Sequence, residues 1–141
     1  MNERNHAAAF YMETIILLIV FMSVILIITN VFTVSYSQSK KAEELTSAVC
    51  LAENAAEAFL ASDDIDTLYK VLDEGNVQQQ GTVLLCRYDP ERTPDPDGAI
   101  TVQISLEEEN DYLRTEIAVS DSQSGEVIYE LHTGKYVKEG R

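Results

Sequence analysis

The chain has 141 residues and a formal net charge of −14, and about 100 residues remain after its hydrophobic N-terminal segment, which is enough for one small domain and too few for two. The charge is uneven, because residues 1–41 hold three basic and two acidic side chains, net +1, so that residues 42–141 carry −15. Nucleic acid and anionic membrane surfaces would repel so acidic a soluble part, and the composition argues against both as its partners.

Residues 1–9 form a short polar segment, which we interpret as a leader or a cytoplasmic stub. The run that follows, residues 10–32, carries a single charge, Glu13. A helix needs roughly 20 mainly apolar residues to cross a hydrocarbon core, so we predict a transmembrane helix over residues 10–36. A core helix of a soluble protein is the alternative, but no other segment is apolar enough to surround it. A cleaved signal peptide is disfavoured, because the apolar run is too long and no A-x-A-like site follows it closely.

Glu13 is the unusual residue of this run. An ionised carboxylate within hydrocarbon is costly, so an intramembrane acid generally has a partner or a function. Alternatively, Glu13 lies close enough to the helix end to reach the lipid headgroups, where the N-terminal helix dipole favours a negative charge. Position alone leaves both interpretations open.

Residues 37–60 contain no glycine or proline, and we predict that they continue the helix outside the membrane as an amphipathic segment. Five apolar residues at helical spacing predict the stripe that packs on the rest of the domain: Leu45, Val49, Ala52, Ala56 and Phe59. Residues 61–141 are predicted to form an extracytoplasmic α+β head. It begins with a short second helix over residues 65–72, capped by Ser62, Asp63 and Asp64 and ended by Gly75 and Asn76.

From residue 82 onward the hydrophobic period changes from 3.6 to 2. This pattern predicts four strands, over residues 82–88, 99–108, 111–120 and 126–137, preceded by a polar linker over residues 77–81. Short connections favour an antiparallel meander. The predicted fold class is therefore α+β, with a long N-terminal helix packed on one face of a four-stranded antiparallel sheet.

No arrangement of residues indicates catalysis or a cofactor. Cys50 and Cys86 are too far apart for a metal site, although a disulfide between them is possible in an extracytoplasmic domain. His6 and His132 lie at opposite ends of the chain, and we see no nucleophilic triad, metal-spaced cluster or phosphate-binding loop. The acidic segment 89–98 offers oxygen ligands without EF-hand spacing, so a solvated turn is favoured over a calcium site. We expect no enzymatic activity, no metal and no cofactor.

The N-terminal segment AAFYME, residues 8–13, followed by the apolar run of residues 15–28, resembles the type IV pilins and type II secretion pseudopilins. In that family a prepilin peptidase cuts after a small residue, usually glycine, and the mature chain begins with phenylalanine and has glutamate fifth. A cut between Ala8 and Ala9 makes Glu13 fifth with alanine first. A cut between Ala9 and Phe10 restores the phenylalanine but makes Glu13 fourth, and no glycine precedes either bond.

The resemblance implies a cytoplasmic N-terminus and a head outside a bacterial cell, within a surface filament. It implies that Glu13 meets the free N-terminal amine of an adjacent subunit, and that the partners are prepilin peptidase and other pilin-like subunits. These subunits would pack through the membrane helix, with part of the surface formed by Ile16, Val20, Val24 and Ile27. The expected function is that of a subunit of a type IV pilus or type II secretion-type filament.

Two other functions remain open at this point. One is a single-pass, membrane-anchored extracytoplasmic module that does not assemble into a filament. The other is a ligand-binding sensor domain, which would need a pocket, and the short strands and small core leave little room for one.

Overall fold

The computed structural model describes residues 2–72 and 76–136, with side chains from residue 6 onward. These residues form two helices, α1 (Asn2–Ala61) and α2 (Ile65–Val71), and five strands, β1 (Gln78–Gln80), β2 (Val83–Tyr88), β3 (Ile100–Glu109), β4 (Tyr112–Asp121) and β5 (Val127–Tyr136). The strands form one antiparallel sheet in the order β1-β2-β3-β4-β5. The α+β fold with a long N-terminal helix and an antiparallel meander is thus confirmed. Gly75 and Val137, each predicted to end an element, lie outside the described residues.

The chain divides into two compact units, Met1–Lys41 and Ala42–Arg141. In the first unit, α1 is long and apolar enough to cross a membrane, with a mean hydropathy of 3.0 over its most apolar 18-residue stretch. None of that stretch is buried by other residues of the chain. A helix that is apolar on every side and has no cover needs an apolar surrounding, which lipid or other helices supply.

The second unit places its core between the last turns of α1 and one face of the sheet. The stripe predicted on α1 is correct only in part: Ala52 and Phe59 are buried, but Leu45 keeps 46% of its surface exposed. The face of α1 that is buried consists of Ala48, Leu51, Ala52, Ala55 and Phe59. At 3.6 residues per turn its centre is rotated by roughly 60° from the predicted one. The segment is rich in alanines, which fit either face, so periodicity did not distinguish between the two.

The short helix α2 confirms the prediction for residues 65–72 to within one residue. Asp64 is its N-cap, and its carboxylate accepts a hydrogen bond from the Thr67 backbone amide at 2.7 Å. Leu68 is the buried residue of α2 and joins the core beneath the sheet. An acidic cap and one apolar anchor therefore fix this turn of helix.

The prediction of four strands is wrong by one. The segment interpreted as a polar linker contains β1, which pairs with β2 so that Gln78 faces Leu85 and Gln80 faces Val83. Only two residues separate the strands, and the first, Gly81, has a φ of +65°. A glycine with positive φ at that position suits a tight β-hairpin. Three exposed glutamines show no alternation of polar and apolar residues, so the turn and not the hydrophobic pattern determines this strand.

Candidate functional site

The first candidate site is the apolar surface of α1 around Glu13. Glu13 shares one side of the helix with Ala9, Met12, Ile16, Leu17 and Val20, which includes two of the four residues predicted to contact other helices. The remaining two, Val24 and Ile27, are also exposed, as is every residue from 10 to 32. The candidate processing residues Ala8, Ala9 and Phe10 lie within α1 and are exposed as well.

The serine and threonine side chains within this run form hydrogen bonds inside the helix. Thr14, Ser23 and Thr29 each donate a hydrogen bond to the backbone carbonyl four residues earlier, at 2.8–2.9 Å. Such bonds are a standard way for a hydroxyl group to avoid remaining unpaired in an apolar environment. The hydroxyl groups of these three residues therefore need no hydrogen-bond acceptor from a neighbouring molecule.

Glu13 and Asn30 differ from the hydroxyl residues. The side chains of Glu13 and Asn30 form no hydrogen bond or ion pair with any of residues 6–72 and 76–136. The carboxylate of Glu13 is flanked by methyl and methylene groups along its side of the helix. In hydrocarbon such a group must be neutralised or must be met by a donor from outside the chain, a headgroup or another polypeptide.

The two cysteines are not joined by a disulfide. Cys50 is half-buried on α1, whereas Cys86 is buried on β2 and belongs to the core beneath the sheet. The disulfide that the sequence left possible is therefore not formed in this structure.

In the acidic loop of residues 89–98, two aspartates accept hydrogen bonds from the loop's own backbone. Asp89 accepts a hydrogen bond from the Thr93 amide at 2.8 Å, and Asp95 accepts one from the Asp97 amide at 3.0 Å. Arg87 donates to the carbonyl of Pro96 at 3.2 Å. These contacts are those of a polar turn.

A second group of side chains, on β4 and β5, was missed by sequence analysis. Glu116 and His132 are directly opposed across the two strands, and Glu130 lies two residues before His132 on the same face. One ligand atom from each residue lies within 4.8 Å of the other two, and His132 Nε2 is 2.6 Å from Glu130 Oε1. The spacing Glu-x-His on a predicted strand was visible, but the third residue is brought close only by the antiparallel register.

Comparison of the chain with protein-family models, curated proteins and solved structures gave no match.

The two groups differ in what they can do chemically. The Glu13 surface presents one carboxylate in an apolar field, which suits association with another helix. The second group, Glu116, Glu130 and His132, presents two carboxylates and an imidazole to solvent, and all three residues are exposed.

Proposed function

We propose that the chain is a pilin-like or pseudopilin-like subunit of a bacterial type IV pilus or type II secretion-type filament, and that it assembles through its N-terminal hydrophobic helix. The observation that carries the proposal is the exposed carboxylate of Glu13, the single charge in the apolar run of residues 10–32 of α1. That helix continues as the element that covers an antiparallel sheet. In this proposal the N-terminus is cytoplasmic, the acidic head lies outside the cell, and the protein has no catalytic role.

The uniform apolar surface supports association without defining a partner. In lipid the hydrophobic effect no longer drives helices together, so packing and polar contacts between helices determine which ones associate. Residues 10–32 contain no glycine or alanine, and so lack the small-residue motif that specifies many membrane helix pairs. A polar contact must therefore supply much of the specificity.

Glu13 is suited to supply that contact. An amine on an adjacent subunit, such as a free N-terminus, would form an ion pair with the carboxylate and remove two charges that are costly to leave alone in lipid. Because Thr14, Ser23 and Thr29 are already hydrogen-bonded within α1, they do not compete for that partner. The same reasoning predicts that replacing these hydroxyl residues has little effect on assembly.

The position of Glu13 favours one alternative function, that of a membrane-anchored extracytoplasmic module that does not assemble. Glu13 is the fourth residue of the apolar run, and a side chain so near the helix end can reach the headgroup region. In that case it would need no protein partner, and α1 would serve only as an anchor.

A pull-down between two tagged copies of the full chain distinguishes these functions. Both copies carry C-terminal tags, are co-expressed in bacterial membranes and are extracted in a mild detergent. We expect the wild-type copies to co-purify, Glu13→Leu to abolish co-purification, and Ser23→Ala, the matched control, to leave it unchanged. Equal recovery of wild type and Glu13→Leu would remove the filament function and leave the anchored module.

A further inference from the structure

We propose that Glu116, Glu130 and His132 form a binding site for a divalent transition-metal ion on the face of the sheet opposite the core. The proposal is independent of the filament function, because it rests only on residues of β4 and β5. Two strands hold the three ligands in a fixed register, and no loop contributes to the site.

The register explains why the three side chains converge. Residues two apart on a strand point to the same face, and directly opposed residues on antiparallel strands have Cβ atoms roughly 4.5–5.5 Å apart. Glu130 and His132 satisfy the first condition, and Glu116 and His132 satisfy the second. Their alternate neighbours Ile117 and Leu131, also directly opposed, lie on the core side of the sheet, which keeps the ligands on the other.

The distances are close to those that a metal ion needs. With metal–ligand bonds of about 2.0–2.2 Å, ligand atoms of a tetrahedral site lie roughly 3.3–3.6 Å apart. The three ligand atoms here lie within 4.8 Å of one another without an ion. Nε2 of His132 and Oε1 of Glu130, 2.6 Å apart, would separate slightly to admit an ion, and exposed side chains can make such adjustments by rotamer changes. Three protein ligands leave a fourth position for water.

The local charge also favours a cation. Among the described residues, neither glutamate forms an ion pair with a lysine or an arginine; Glu130 contacts His132, and Glu116 has a carboxylate oxygen within 4.8 Å of both. The nearest basic residue along β4 on this face is Arg114, which is opposed by Glu107 of β3. Metal ligands bind in their deprotonated forms, so the two carboxylates would supply two negative charges to a bound divalent ion and the imidazole would supply none.

The ligand set indicates the class of metal. An imidazole nitrogen with carboxylate oxygens suits Zn²⁺ and other first-row transition ions, whereas Ca²⁺ and Mg²⁺ prefer oxygen ligands alone. We therefore expect Zn²⁺ to bind more tightly than Ca²⁺.

Titration of the full-length protein in detergent with ZnCl₂, followed by calorimetry near neutral pH without chelators, tests the site. We expect one saturable equivalent of Zn²⁺ and weaker binding of CaCl₂. Removal of an outer-shell partner alone weakens metal sites by about 10–100-fold, so Glu116→Gln and His132→Ala should each weaken Zn²⁺ binding by at least about tenfold. Both residues are exposed, and circular dichroism verifies that the variants are folded.

Two control variants make the result specific. Glu107→Gln removes another exposed acid from the same side of the sheet, and His6→Ala removes the other histidine of the chain. Neither should change Zn²⁺ binding. The proposal is overturned if Zn²⁺ binding does not saturate, if His132→Ala binds as wild type does, if His6→Ala abolishes binding, or if Ca²⁺ binds as tightly as Zn²⁺.

Discussion

Lys135 joins the edge strand β5 to the end of α1, and its replacement by methionine should destabilise the second unit substantially. Its ammonium group donates a hydrogen bond to the Phe59 carbonyl at 2.7 Å and another to the Ser62 carbonyl. It also lies 4.8 Å from the centre of the Phe59 ring. Because α1 ends at Ala61, the Phe59 carbonyl is one of the last four, which a helix leaves without intrahelical partners, and the Ser62 carbonyl lies just past the helix end.

The magnitude follows from these contacts. Hydrogen bonds to a charged donor contribute about 1.5–3 kcal/mol each, and a cation over an aromatic ring adds about 0.5–1 kcal/mol at exposed sites. The full sum is not lost in Lys135→Met, because the Phe59 carbonyl also accepts a bond from the Ser62 amide at 3.3 Å and water can reach the half-buried site. We therefore expect the free energy of unfolding to fall by about 2–3 kcal/mol.

The buried thiol of Cys86 provides a measurement confined to the second unit. In a Cys50→Ser background, pulse labelling of Cys86 across a urea series in detergent follows exposure of the core beneath the sheet, while the membrane segment stays embedded in the micelle. With a urea dependence of about 1–3 kcal/mol per molar, Lys135→Met should lower the labelling midpoint by roughly 1 M. Lys70→Met, which removes an exposed lysine of α2, serves as the control. Equal midpoints for wild type and Lys135→Met would refute the reasoning.

Two further predictions concern the head. Gly98→Ala should destabilise it by about 1–3 kcal/mol in the same labelling assay, because a Cβ there would overlap the backbone of Tyr88. Gly125 has open space around it but a φ of +71°, so Gly125→Ala should destabilise the fold through backbone strain alone. The pKa of Asp64, lowered by hydrogen bonds from Thr67, and the pKa of Asp121, lowered by hydrogen bonds from Ser124, lie below the ordinary value of 3.8. The two carboxylates therefore stabilise the fold above pH 3.8, and this contribution is lost as the pH falls through the lowered pKa values. Asp64→Asn keeps a capping side chain but does not titrate, so it should make urea midpoints less dependent on pH in this acidic range. An unchanged pH dependence would contradict the assignment.

The sequence predicted most of the sheet because its signals are local. The strict alternation of Ile100, Val102, Ile104 and Leu106 fixes both the strand and its buried face, and the structure buries all four. Short connections between such strands leave an antiparallel meander as the simplest arrangement. The strands after residue 82 were accordingly predicted to within two residues where the structure describes them.

What the sequence did not predict depends on contacts between distant residues. Packing against the sheet determines which face of α1 is buried. The sequence does not reveal that face, because alanines at positions 48, 52, 55, 56 and 58 fit either one. The grouping of Glu116 with Glu130 and His132 depends on the register of β4 and β5, which is set by the whole hairpin. A search for ligands at short sequence spacing therefore missed it, although two of the three are adjacent on one strand face.

Serine, threonine, asparagine and glutamate residues of the apolar run, residues 10–32, divide into two groups, with different consequences for the proposed assembly. In Thr14, Ser23 and Thr29 the hydroxyl is hydrogen-bonded within α1, so sliding one such helix along another by a turn changes little in their energy. Glu13 has no such internal bond, and moving it by one turn, about 5.4 Å, would separate the carboxylate from any fixed partner. If the proposed function is correct, the uniform apolar surface supplies contact area at many registers while Glu13 selects one. Asn30, 17 residues further along, lies roughly 25 Å away on a side of the helix turned by roughly 100°. It would face a different neighbour, so that each helix in the assembly would be aligned by polar contacts at both ends of its apolar run.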